Sequence, residues 1–252
     1  DGGEASILET LQSLRSEDQS LLIPVLDAVG SLPLSDAEME SATSDALEAL
    51  GTVEAWGLPA LAAFLMNHAP AGMAGEVVEG LRGLSLGLGE DGDGSMDEER
   101  PGVSGTTTRS DGISLTVECL SRGLGHRSDL SSALLRSIKE TPTGHHTASD
   151  FWLLACCATA SHNLPRVRGL LKSKAGSGGF TPSLVREALG GNGPGLGTLF
   201  GGSLLDIADG LLSSPDAGSV ALGSALYRTM FDEFAEPMQR QEVVGSLVTH
   251  VG

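Results

Sequence analysis

The sequence predicts an all-α fold, an irregular α-solenoid of HEAT-like stacked antiparallel helices. Three observations carry that expectation. Leu, Ala and Gly abound while aromatic residues make up only 4% of the chain; sheets favour aromatic and β-branched side chains, so helix-on-helix packing suits this composition better. Apolar residues recur at helical spacing in about a dozen segments, and no convincing strand interrupts them. Successive pairs of these segments span roughly 35–45 residues, the length of a HEAT-type repeat. A compact helical bundle is the alternative arrangement.

In chain order, Ile7, Leu8, Leu11 and Leu14 form a first short stripe. Ser16 and Gln19 are spaced as a capping box for a second helix carrying Leu21, Leu22, Val25, Leu26 and Val29. Ser35 and Glu38 repeat the signal ahead of Met39, Ala42, Ala46, Leu47 and Leu50. Two further runs follow, Leu58 to His68 and about Ala71 to Leu84. From Ser85 to Gly105 the apolar period vanishes and glycine and acidic residues take over, which predicts a mobile loop. Helical patterning resumes at Ile113, Leu115, Val117 and Leu120, then from Leu130 to Ile138 and from Phe151 to Ala160, the last with a cap at Thr147–Asp150. Thr181-Pro182 opens the next helix and Ser214-Pro215 a later one, with Leu204, Ile207, Leu211 and Leu212 between; the final helix begins near Pro237. The expected organisation is helical repeats over 1–84, an acidic glycine-rich loop over 85–110, and helical repeats over 111–252. Missing an initial Met and stopping inside an amphipathic run, the chain is expected to be a fragment of a longer protein.

Charge narrows the function classes. The 252 residues carry a formal net charge of -18. Phosphate contacts supply most non-specific affinity for nucleic acid, so this composition argues against a self-sufficient nucleic-acid binder and equally against an anionic membrane surface. No apolar run approaches the roughly 20 residues that span a bilayer. The three cysteines, Cys119, Cys156 and Cys157, read as reduced thiols, not as a disulfide framework.

Against this acidic background, one stretch is basic. No Asp or Glu lies between Asp150 and Glu187, and two of the three lysines, Lys172 and Lys174, fall there with Arg166, Arg168 and Arg186. Pro165 suits an early helical position, and Leu164, Val167 and Leu171 share one face. Arg168 flanks that face. Lys172 lies further round, toward water, and Lys174 projects close to Val167 and Leu170, beside the apolar stripe. Gly176, Gly178 and Gly179 end the helix. The plain structural reading is that cations in a last turn serve the helix's own C-terminal carbonyls. The chemical reading is an amine nucleophile, although an ordinary lysine pKa of roughly 10.4 keeps the group protonated at neutral pH.

Other chemistry is sparse. DGDG would place Asp91, Asp93 and Gly94 in a calcium loop, but the first and last ligand positions would be Gly89 and Arg100. His145 and His146 precede Cys156 and Cys157 at a spacing that fits no zinc module, so a loop pair of histidines and buried cysteines is expected. The glycines from Gly190 to Gly202 lack the lysine of a phosphate loop. No catalytic residue, cofactor or metal site is assigned.

Three stretches resemble the Fanconi anaemia group D2 protein family. Ser20–Ala28, SLLIPVLDA, looks like the start of the family's central helical region, and Gln241–His250, QEVVGSLVTH, is similar to a later helix. Between them Leu171–Gly178, LKSKAGSG, is similar to the segment holding the family's monoubiquitination lysine. On the register fixed by its Ser-Gly, Lys174 corresponds to the modified lysine and Lys172 falls where an arginine is common. The resemblance implies a nuclear, non-enzymatic scaffold of interstrand crosslink repair. It implies a heterodimer with the Fanconi anaemia group I protein, and attachment of one ubiquitin to Lys174 by a conjugating enzyme and a RING-type ligase. It further implies that the full-length complex clamps double-stranded DNA. Arg166, Arg168 and Lys172 are then candidate partner or DNA contacts. A sliding-clamp motif assigned to vertebrate members falls here on Ser110, Ile113, Thr116 and Val117, of which only Ile113 fits. The competing expectation is a generic HEAT-like interaction scaffold in which Lys174 is a surface cation.

Overall fold

A computed structural model of the chain describes residues 13, 21–84, 109–189, 196–233 and 237–250. The expected first stripe, the Ser16–Gln19 box, the DGDG run and most of the glycine stretch after Leu189 lie outside them. Among the described residues there are twelve α-helices and no strand. They are α1 (Leu22–Ser31), α2 (Asp36–Leu50), α3 (Leu58–His68), α4 (Ala74–Arg82), α5 (Arg109–His126) and α6 (Ser128–Glu140). Then come α7 (Ala148–Ala158), α8 (Leu164–Gly176), α9 (Pro182–Leu189), α10 (Leu196–Leu212), α11 (Ala217–Glu233) and α12 (Pro237–Val248). A 3-10 turn, Ala71–Met73, leads into α4.

The helices form two layers. In the first, α1, α3, α5, α7, α9 and α11 pack each on the next; in the second, α2, α4, α6, α8 and α10 do the same. Neighbours within a layer run parallel, as α5 shows against α7: Val117 contacts Cys156, and further along both, Leu124 contacts Asn163, just past the end of α7. Successive helices must therefore reverse, which is the alternation of a solenoid. Helices on both sides of residues 85–108 share one core, because α3 packs on α5 and α4 on α6.

Local chemistry accounts for the boundaries. The Ser35 hydroxyl accepts the Glu38 N–H while the Glu38 carboxylate takes the Ser35 N–H, so both halves of the capping box form. Thr147 and Asp150 do the same for α7. The start of α11 corrects the expectation placed on Ser214-Pro215: the helix begins at Ala217, and the Asp216 carboxylate accepts the Ser219 N–H at 2.7 Å. Helix α7 is the axis of the stack. Every residue from Asp150 to Ala158 is buried, which explains why FWLLACCA lacks a polar face. Thr116 and Val117, two of the residues aligned with the sliding-clamp motif, are fully buried in α5.

Candidate functional site

Helix α8 stops in a Schellman motif. Gly178 has φ +75°, its N–H reaches the Ala175 carbonyl at 3.0 Å, and the Gly179 N–H reaches the Lys174 carbonyl at 2.7 Å. Lys174 therefore sits three residues before the cap, where the last turn is most tightly fixed. The glycine pair then drops Phe180 into the core, 2% exposed.

The side chain of Lys174 crosses to the neighbouring helix. Its Nζ donates to the Thr141 carbonyl at 2.6 Å. That acceptor follows from sequence, because Pro142 forces Thr141 out of the helical region, to ψ 127°, and cannot itself donate an N–H. Thr141 caps α6, so its carbonyl faces outward with no intrahelical donor, and the lysine supplies one. The cation does complete a helix C-terminus, but that of α6, not of its own helix. Lys174 is half-buried, beside Val167 and Leu170 as its helical position predicts.

Beneath it lies a polar cluster. Arg82, at the last turn of α4, makes five hydrogen bonds. Its Nε and Nη2 hold the two Asp150 oxygens at 2.6 and 3.1 Å, Nη1 reaches Ser137 Oγ and Glu79, and Nη2 reaches Thr141 Oγ1 at 2.9 Å. A guanidinium has five N–H donors, so all are used. Asp150 is fully buried, and its carboxylate also takes the Thr147 N–H and the His146 Nδ1–H. Its hydrogen bond raises Arg82 above the usual guanidinium range. His146 stacks on Phe180 with ring centroids 4.6 Å apart. Burial is the main cause that lowers its pKa, Asp150 opposes it, and the positive charges of Lys174 and Arg82 add to the lowering. Its Nε2 is buried with no hydrogen-bond partner. Thr141 thus joins two cations: Arg82 on its hydroxyl and Lys174 on its carbonyl.

The remaining basic residues do not converge. Arg166 turns toward α6, where Nη2 meets Ser132 Oγ at 3.3 Å. Arg168 lies over Gly210 of α10, on the other flank. Lys172, expected in open water, is half-buried, and its backbone carbonyl accepts the Ser219 hydroxyl of α11. Its spacing of four puts it on the Arg168 side of α8. The thiols are out of play: burial pushes Cys156 up to about 12 and Cys157 up to about 11. Among the described residues, no group of three or more His, Cys, Asp and Glu is placed to hold a metal ion.

Sequence reading found Lys174 and its apolar neighbours but missed Arg82, Thr141 and the buried half of the histidine pair. The Thr-x-x-Asp signal located Asp150 as a cap. Nothing local says that the same carboxylate reaches back 68 residues to Arg82. The Thr-Pro pair was the available clue to an unpaired carbonyl.

Residues 1–252 match the protein-family model described as "Fanconi anaemia protein FancD2 nuclease". The chain belongs to the FancD2 family. Over its whole length it is 27% identical to the Fanconi anemia group D2 protein of Gallus gallus and 25% identical to the Fanconi anemia group D2 protein homolog of Mus musculus. It spans 18% of the length of each relative. In this FancD2-family segment, Asp150 and Lys174 lie on the α7–α8 repeat and Arg82 on α3–α4, with Ser137 and Thr141 of the intervening α5–α6 repeat bonded to Arg82.

Proposed function

We propose that this chain is part of a non-enzymatic scaffold for DNA interstrand crosslink repair, and that Lys174 accepts a single ubiquitin. Family membership supports the pathway. The scaffold reading is favoured by how the polar groups are used: Asp150, the one fully buried carboxylate described, is saturated by Arg82, His146 and Thr147.

One observation carries the site, the 2.6 Å bond from Lys174 Nζ to Thr141. It fixes one amine where the C-terminal ends of α6 and α8 meet. Among the described residues, Lys139 and Lys172 make no hydrogen bond or ion pair through theirs. A neutral amine has two N–H bonds and a lone pair. Donating one N–H to Thr141 leaves the lone pair free and oriented, which lowers the entropic cost of attack. That lone pair attacks the thioester carbonyl of ubiquitin carried by its conjugating enzyme. An isopeptide C–N bond forms, the C–S bond breaks, the thiolate leaves and the amine gives up a proton.

In this reading the full-length protein pairs with the Fanconi anaemia group I protein in the nucleus, and the pair holds double-stranded DNA. The test uses the full-length protein with that partner, duplex DNA, ubiquitin, the conjugating enzyme and the RING-type ligase. The ubiquitin remnant is then mapped by mass spectrometry. It is expected on Lys174 and absent from the Lys174→Arg protein. A remnant on Lys139 or Lys172, or modification that persists undiminished in Lys174→Arg, overturns the assignment.

A further inference from the structure

The two grooves that flank helix α6 differ in charge. On the α4 side, Glu76, Glu79 and Glu140 line the wall with Arg136 and the fully engaged Arg82. On the α8 side, a groove of about 840 Å³ presents Arg136, Lys139 and Arg166 against the single acid Glu140. In a chain with a net charge of -18 this is an unusual sign. Arg136 and Lys139 are exposed and, among the described residues, form no hydrogen bond or ion pair. Arg166 has only its long contact with Ser132.

The groove also has an apolar floor, made by Leu135 and Leu170. Gly169 lies beside them in the middle of α8, and a Cβ there would meet nothing within 4 Å. Glycine in a helix interior costs roughly 1 kcal/mol relative to alanine, and no packing partner requires it here. Its effect is to leave bare backbone that another chain can approach closely.

The geometry points to a docking site for a short acidic segment of a protein partner, with an apolar side chain seated over Gly169. Carboxylates of that segment pair with Arg136, Lys139 and Arg166, and its apolar side chain covers Leu135 and Leu170. A protein fits better than nucleic acid because the apolar floor gives nothing to a sugar-phosphate backbone but can seat an apolar side chain. This inference stands on the groove alone and does not require Lys174 to be modified.

The test is fluorescence anisotropy with the full chain. The probe is a labelled peptide in which Glu and Asp surround leucines spaced four apart. Comparison probes are the same peptide with Lys in place of the acids, and a labelled DNA duplex. The acidic peptide is expected to bind. Affinity should fall at least about tenfold, equivalent to about 1.4 kcal/mol, in an Arg136→Glu, Lys139→Glu double variant. A similar fall is expected in Gly169→Gln, which fills the groove without changing charge. Arg228→Glu, a single charge reversal on exposed α11 outside the groove, should leave affinity unchanged. Three results overturn the inference: no binding of the acidic peptide, equal loss with Arg228→Glu, or duplex affinity as the property that the groove variants remove. Melting curves identify any variant that has lost its fold, and Gly169→Gln, which removes a helix-interior glycine, keeps the groove testable if the double variant unfolds.

Discussion

Arg82 and Asp150 face each other across two helices and 68 residues, joined by two parallel hydrogen bonds of 2.6 and 3.1 Å. Fork-on-fork pairing of this kind is the strongest geometry open to a guanidinium and a carboxylate. It ties the end of α4 to the start of α7, and through Ser137 and Thr141 it holds the end of α6 as well.

Removing one partner should therefore be severe. Arg82→Ala leaves the fully buried Asp150 carboxylate without its cation and should lower unfolding stability by about 3–5 kcal/mol. Replacing both, Arg82→Met with Asp150→Leu, should recover much of that loss, because no buried charge is then stranded. Urea denaturation of the three proteins checks the order. A double variant less stable than Arg82→Ala would contradict it.

His146 gives the fold a pH dependence. Burial lowers its folded pKa below the ordinary histidine value. The unfolded chain therefore binds a proton before the folded one does. Stability is complete above the ordinary value of about 6.5 and declines as pH falls from there through the depressed folded value. The slope should flatten in His146→Gln, read as melting temperature against pH. An identical slope in both proteins would place the titration elsewhere.

Two glycines, one inside α8 and one in the turn that ends it, should respond in opposite directions. Gly178 has φ +75°, where a side chain costs roughly 1–2 kcal/mol, so Gly178→Ala should destabilise. Gly169 is helical with open space around it, so Gly169→Ala should stabilise by up to about 1 kcal/mol. Paired thermal melts against the parent chain read both signs.

The Lys174 contact should be separable from the lysine's chemistry. Lys174→Met removes a charged donor from the Thr141 carbonyl and should cost about 1 kcal/mol. Lys174→Arg keeps a donor and should cost less. If both melt like the parent, the contact does not contribute to the fold in solution.

Much of this architecture was legible from apolar spacing and capping pairs. Ser35–Glu38 and Thr147–Asp150 marked two helix starts because each cap is a local bargain between residues three apart. The Lys174 side of α8 was legible for the same reason, since 100° per residue fixes which neighbours it has. What stayed hidden depends on distant partners. Lys174 could be placed beside apolar surface, but the α6 carbonyl it reaches is set by how two repeats stack. His146 read as half of a loop pair, and it is the Asp150 carboxylate and the Gly178–Gly179 turn, which lowers Phe180 onto it, that make it a core residue.

The saturation of Arg82 has a consequence for any measurement of polyanion binding. Binding that displaces counterions weakens with added salt in proportion to the phosphates neutralised. A guanidinium with all five donors committed inside the protein has none to offer a phosphate. Arg82 counts toward the formal charge of the chain, yet it should add nothing to that salt slope, which will reflect only the cations left on the outside.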